Sequence, residues 1–285
     1  MLAISTDLLI GYGRLLALGQ VAFFAVGAYV GAILTTTYAW PPALAFFIAA
    51  GAALLLALVL SPILWVDGFY FALATFAVVV LVETLATSWV SVTGGVSGLL
   101  GIPAFSIGGL QFSSTRSYFY LAWVPCLLLI LVLRQMRLSR FGRALLFSRD
   151  EDIAVSLGIP VRRVRLKLWL FAAVVAGGAG DLYMHYLQYI SPGQFGLNLA
   201  ILTVAMAVIG GLATAYGAAI GAVLLQLVAN HVPFVAEQST LIYGLVVILL
   251  VILAPGGLYG EVQKILRRYV ADADEDASQQ PAEVG

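Results

Sequence analysis

Long apolar runs follow one another along almost the whole chain, at about residues 15–35, 42–64, 69–90, 118–133, 168–190, 199–212, 217–230 and 240–258. They do not alternate apolar with polar residues, so they predict helices that cross a bilayer rather than the strands of a membrane barrel. A helix also meets the demand of hydrocarbon that every backbone N–H and C=O find a partner within its own segment. The pattern therefore predicts an all-α, polytopic membrane bundle of about eight spans. The pair at 199–212 and 217–230 is short and split by "GGLATAYG". It reads equally as one broken or re-entrant element, since glycine-rich breaks at membrane depth are tolerated inside protein. Residues 2–10 are too short to cross alone and are expected to form a partial helix.

Composition agrees with the pattern. Of 285 residues, 62% are apolar and 10% charged, and the mean hydropathy is +1.03, far from the balance of a soluble domain. The opening "MLAISTDLLIGYGR" lacks the basic region, apolar core and small-residue cleavage site of a removable signal, so the first span is expected to direct insertion. Cys126 is the single cysteine. It lies inside an apolar run, which excludes an intrachain disulfide or a cysteine zinc site and points to packing.

Charge adds orientation. Nine of the fourteen Lys and Arg fall between Arg134 and Lys167; Lys264, Arg267 and Arg268 follow the last run, and Arg14 and Arg116 complete the set. Eight crossings put both ends and the 134–167 loop on one side, leaving Arg116 on the other. The positive-inside rule makes that side the cytoplasm. Residues 269–285, acidic and poor in large apolar groups, are expected to be a disordered tail after a membrane domain over 1–268.

The 134–167 loop holds its own helix signal. Ser148 and Glu151 have capping-box spacing, and Asp150, Glu151 and Asp152 fall in the first turn, where the helix dipole favours negative charge. Gly158 is a terminator and Pro160 reinforces the stop. A helix at about 149–157 would place Ile153 and Leu157 on one apolar edge, yet one so short is marginal without a surface to pack on. It reads either as a solvated loop that fixes topology or as a docking handle for a cytoplasmic partner.

Four stretches in order, "GYGRLLALGQVAFFAVGAYVGAIL", "TGGVSGLLGIP", "FGRALLFSRDEDIAVSLGIPVRRVRLKLWLF" and "YISPGQFGLNLAILTVAMAVIGGLATAYGAAIGA", resemble the membrane permease subunits of the branched-chain amino acid ABC transporters, of the LivM-like type. The resemblance implies a bacterial or archaeal cytoplasmic membrane. It also implies a second homologous permease subunit, two cytoplasmic ATP-binding subunits and an extracytoplasmic solute-binding protein as partners, with no nucleic acid, cofactor or metal. The loop helix then resembles the coupling helix that sits in a groove of the ATPase. Arg143 matches the arginine of the family's "GRAL" run, and Asp152, Ala154 and Gly158 resemble the Glu-Ala-Ala, three residues, Gly pattern. The ATPase-coupling residues expected on this basis are Arg143, Asp150, Glu151, Asp152, Ala154 and Gly158. Arg14, Ala17 and Gln20 stand where relatives tend to have Gln, Ser and His, and the 93–103 stretch lacks the acidic residue often found there.

The residues agree on one point: if transport is driven by ATP, another chain must bind it. Lys167 and Lys264 are the two lysines, and neither closes a Gly-x-x-x-x-Gly-Lys loop that would cradle phosphates. No set of nucleophile, base and oxyanion donors suggests an enzyme.

Polar residues inside the runs form the remaining candidate chemistry. Gly177, Asp181, His185 and Gln188 recur at helical spacing, and Asp181 with His185 is an i, i+4 pair. The stripe reads as a lining of the solute path, as a proton-sensitive pair, or as hydrogen-bonding glue between helices. The family usually has a small residue where Asp181 stands. Glu83, Gln20 and Thr93 complete the expected path set with Asp181, His185 and Gln188. A proton-coupled secondary transporter using Asp181, His185 and Glu83 is the alternative to an ATP-driven importer. Gly27 with Gly31, and Gly217 with Gly221, have the spacing that lets helices approach closely.

Overall fold

The computed structural model describes residues 1–231 except 67, 109, 149 and 150. The expected span at 240–258, the basic cluster after it, the acidic tail and Asp150 lie outside the described residues. The helices are α1 (Leu2–Asp7), α2 (Gln20–Thr36), α3 (Pro42–Val59), α4 (Gly68–Ser88), α5 (Val90–Thr93), α6 (Thr115–Leu138), α7 (Arg140–Phe147), α8 (Glu151–Ser156), α9 (Val161–Leu187), α10 (Leu197–Gly210) and α11 (Ala215–His231). Each of the first seven expected spans contains one of these helices. Two two-stranded antiparallel ladders, unforeseen in the sequence, pair β1 (Leu99–Leu100) with β4 (Tyr189–Ile190) and β2 (Ser106–Ile107) with β3 (Leu110–Gln111). Among the described residues, five segments are long and apolar enough to cross a membrane.

α9 is the axis of the bundle. Its 27 residues reach about 40 Å at 1.5 Å per residue, and α2 and α3 pack along it because small residues remove the side chains that would hold them apart. A Cβ on Gly27 would collide with Gly177, and one on Gly180 with the Phe24 carbonyl. α3 presents Ala45, Ala49, Ala53 and Ala57, all fully buried, at the i, i+4 repeat of one helix face. Ala49, Ala50 and Ala53 border Gly177. Trp169 closes the basic end of this interface: its indole N–H donates to the Ala57 carbonyl at 3.0 Å, and Phe23 and Phe71 meet its ring edge-on.

α10 and α11 are two antiparallel helices, not one broken helix, an arrangement shared by two short spans and a re-entrant hairpin. Gly210 packs on Gly217 and Gly221 on the Met206 carbonyl. In the turn between them, the backbone N–H of Ala213 donates to Asp7 Oδ1 at 2.7 Å. α6 lies on the outside, with Tyr120, Val124, Leu128 and Leu131 exposed as lipid-facing residues are.

One expectation is corrected at the N-terminal segment. Met1 packs with Phe105, Tyr118 and Leu182, at the end formed by the first turn of α6 and the last turns of α9. That end lies opposite the 139–160 segment, so Met1 is not on the side of the basic loop where an even count of crossings put both termini. α1 continues as a π-helical turn, Leu8–Tyr12, and the two run inward through the bundle, almost wholly buried. Residues 13–19 are then non-helical, with backbone partners both near and far: Leu15 N–H donates to the Leu9 carbonyl and Leu18 N–H to Thr75 Oγ1 on α4. A buried non-helical stretch persists only where such partners exist.

Candidate functional site

The polar stripe on α9 is brought together in part. Gly177 serves the contact with α2 and α3. Asp181 is fully buried against Gly31, whose missing side chain leaves room for the carboxylate, and neither carboxylate oxygen has a hydrogen-bond partner. An ionised carboxylate at such a place costs about 2.5–3.5 kcal/mol on insertion scales. One turn on, His185 Nε2 lies 3.8 Å from Asp181 Oδ1, while Nδ1 is 2.7 Å from the Pro103 carbonyl oxygen. Phe105 covers the imidazole edge-on with centroids 5.4 Å apart.

Gln188 departs from this face. It ends α9 in the left-handed conformation, φ +55°, and its side chain is exposed. Its carbonyl accepts from Ile102 N–H, which leads the chain into the β1–β4 ladder. His185 and Gln188 border a cavity of about 300 Å³ with Ser113, Ser114, Thr115 and Tyr118. The Tyr118 hydroxyl donates to the Leu182 carbonyl, so this wall is fixed to α9.

The other expected path residues lie apart from this pair. Gln20 opens α2, is 1% exposed and has no hydrogen-bond partner on either amide atom. Glu83 is half-buried on α4, with its carboxylate against Gly196 at the start of α10, where the helix dipole favours negative charge. Thr93 is engaged in its own turn: its hydroxyl is within hydrogen-bonding distance of the Ala86 and Trp89 carbonyls and accepts from Gly95 N–H.

At the basic end the 139–160 segment folds as two short helices rather than one. Ser139 caps α7, accepting from Gly142 N–H at 3.2 Å, and Arg143 is exposed along it. Ser148 belongs to the end of α7, its hydroxyl donating to the Leu145 carbonyl. Glu151 and Asp152 open α8. Gly158 ends it at φ +68°, with Gly158 N–H donating to the Val155 carbonyl and Ile159 N–H to Ala154, the paired bonds of a Schellman motif. Ala154 is fully buried, whereas Ile153, Val155 and Leu157 are 48%, 69% and 56% exposed.

Sequence reading missed Asp7 and Pro103, and it gave Gly31 a helix-packing role without its contact with Asp181. A lone aspartate in "STDLL" was a visible signal for the first. Pro103 enters through a backbone carbonyl, which no side-chain pattern reveals.

A multi-pass helical membrane protein with a folded basic-end segment and isolated buried polar groups is the class these features define. The sequence matches the family described as "Branched-chain amino acid transport system / permease component" over residues 1–255. It is 30% identical to the high-affinity branched-chain amino acid transport system permease protein LivM of Escherichia coli, with 90% of this chain and 67% of that protein aligned; the LivM of Salmonella typhimurium gives the same figures. A probable branched-chain amino acid transport permease protein LivH of Methanocaldococcus jannaschii is 30% identical over 60% of this chain and 55% of its own length. No solved structure matches. The chain belongs to the branched-chain amino acid transport permease family, and it is a permease component of an ABC importer.

Proposed function

We propose that this chain moves a branched-chain amino acid, or a related small polar solute, from an extracytoplasmic binding protein to the cytoplasm. In this reading it pairs with a second homologous permease and with two ATP-binding subunits. The observation that carries the proposal is the family match, which runs through nearly the whole membrane domain, together with relatives whose names specify branched-chain amino acid transport. The concentration of cations between Arg134 and Lys167 supports a cytoplasmic 139–160 segment.

The coupling role falls to α7 and α8. Ala154 anchors α8 inward while Ile153, Val155 and Leu157 face out, an apolar edge suited to an ATPase groove. Arg143 on α7 and Gly158 at the end of α8 belong to this coupling set, as do Asp150, Glu151 and Asp152 by their place in the sequence. The solute path runs by Gln20, Glu83, Asp181, His185 and Gln188, with Thr93 holding the turn beyond α4.

Affinity purification in mild detergent should recover a second permease and two ATP-binding subunits; recovery of the chain alone, where other membrane complexes survive, would overturn the assembly. Ala154→Pro should abolish ATP-driven uptake while insertion is normal, because proline within α8 removes a backbone donor and costs about 3 kcal/mol in a helix interior. Uptake that persists would refute the coupling role of α8.

A further inference from the structure

Moving a solute past the pair on α9 does not by itself require two titratable groups there that are both fully buried. We infer that Asp181 and His185 form a proton-binding site that carries one proton beyond that on His185 Nδ1, on either the Asp181 carboxyl or His185 Nε2. The argument begins at Pro103. A carbonyl oxygen can only accept, so its 2.7 Å contact fixes a proton on His185 Nδ1. A neutral imidazole with its proton there turns a bare lone pair on Nε2 toward Asp181 Oδ1, 3.8 Å away. An ionised carboxylate facing that lone pair would be repelled, with both carboxylate oxygens buried and without hydrogen bonds. One further proton removes the conflict. Placed on Nε2 it gives imidazolium and carboxylate, and placed on Asp181 it gives imidazole and carboxylic acid. Both forms leave the pair with no net charge.

Among the described residues, no charged side chain stands by to balance the charge instead. From α2 the pair meets Gly31, and from α3 the neighbouring surface is Phe46 and the buried alanines. The 101–105 segment contributes Pro103 and Phe105, and α6 contributes Tyr118. The remaining titratable groups nearby are Tyr183 and Tyr186 on α9, Tyr29 on α2, and the amino group of Met1 with Cys126. No Arg, Lys, Asp or Glu of the described residues faces the pair. His185 also borders the cavity of about 300 Å³ lined by Ser113, Ser114 and Tyr118, at the end of the bundle away from the basic segment. The proton also ties a loop to the core, since the same imidazole holds Pro103 on one side and Asp181, against Gly31, on the other.

The full chain, reconstituted in lipid with ¹⁵N-histidine and ¹³C-aspartate labels, tests this by solid-state NMR at neutral pH. There are two histidines, His185 and His231, so His231→Gln assigns the imidazole signals and Asp181→Asn assigns the carboxyl carbon. We expect Nδ1 of His185 protonated, with either a doubly protonated ring and an ionised Asp181 or a neutral ring and a protonated Asp181. A ring protonated on Nε2 alone, or a neutral ring beside an ionised Asp181, would overturn the inference. The spectra are read from the wild-type ring and carboxyl, without ATP or transport, so failure of the importer reading would leave the result intact.

Discussion

At the scale of single residues, what this chain omits matters as much as what it contains. Gly31 is the case in point: a side chain there would occupy the space of the Asp181 carboxylate and crowd Met184. Gly31→Ala should therefore lower stability by roughly 1–3 kcal/mol, the usual effect of overpacking, read as a lower thermal midpoint in detergent. Gly51→Ala, where an added Cβ meets nothing within 4 Å, is the control that should leave the midpoint unchanged or slightly raised. The helical spacing of Asp181 and His185 was legible in the sequence. Their setting was not, because Gly31 lies 150 positions away and Pro103 acts through its backbone.

At the scale of elements, the 139–160 segment shows how local signals are re-used. Ser148 and Glu151 have the spacing of an N-terminal cap, and the Ser148 hydroxyl also donates to the Leu145 carbonyl, so that residue closes α7. Gly158 does end a helix, and for the physical reason its position suggests: φ is +68°, a conformation open to glycine and disfavoured for residues with a Cβ. No atom lies within 4 Å of a Cβ placed there, so backbone conformation alone sets the penalty. Gly158→Ala should loosen the end of α8 by roughly 1 kcal/mol, seen as faster amide exchange over 153–159. Gly158→Asn should recover part of the loss, because asparagine tolerates the left-handed region.

At the scale of the whole molecule, three helices form the packed body and the remainder surround it. α9 is central, with α2 and α3 against it through glycine and alanine, while α6 keeps large apolar side chains for lipid. Orientation follows from charge, and it is testable without transport. In a Cys126→Ala background, Leu146→Cys should react with a membrane-impermeant maleimide only after the inner face is opened. Ser113→Cys should react in intact cells. The reverse pattern would invert the topology.

The class, the family and the places of seven described apolar helices, with ends that differ by up to seven residues, were legible in the sequence alone. Bilayer-length apolar runs and helix-stop residues are local features, and a backbone in hydrocarbon has few other ways to satisfy its polar groups. Tertiary structure alone decided that Leu2–Tyr12 enters from the far end, that 199–212 and 217–230 are separate antiparallel helices, and that Asp7 holds their turn. It also decided what surrounds Asp181. These are contacts between segments far apart in the chain, fixed by which small residues face one another across helices, and periodicity within one segment does not encode them.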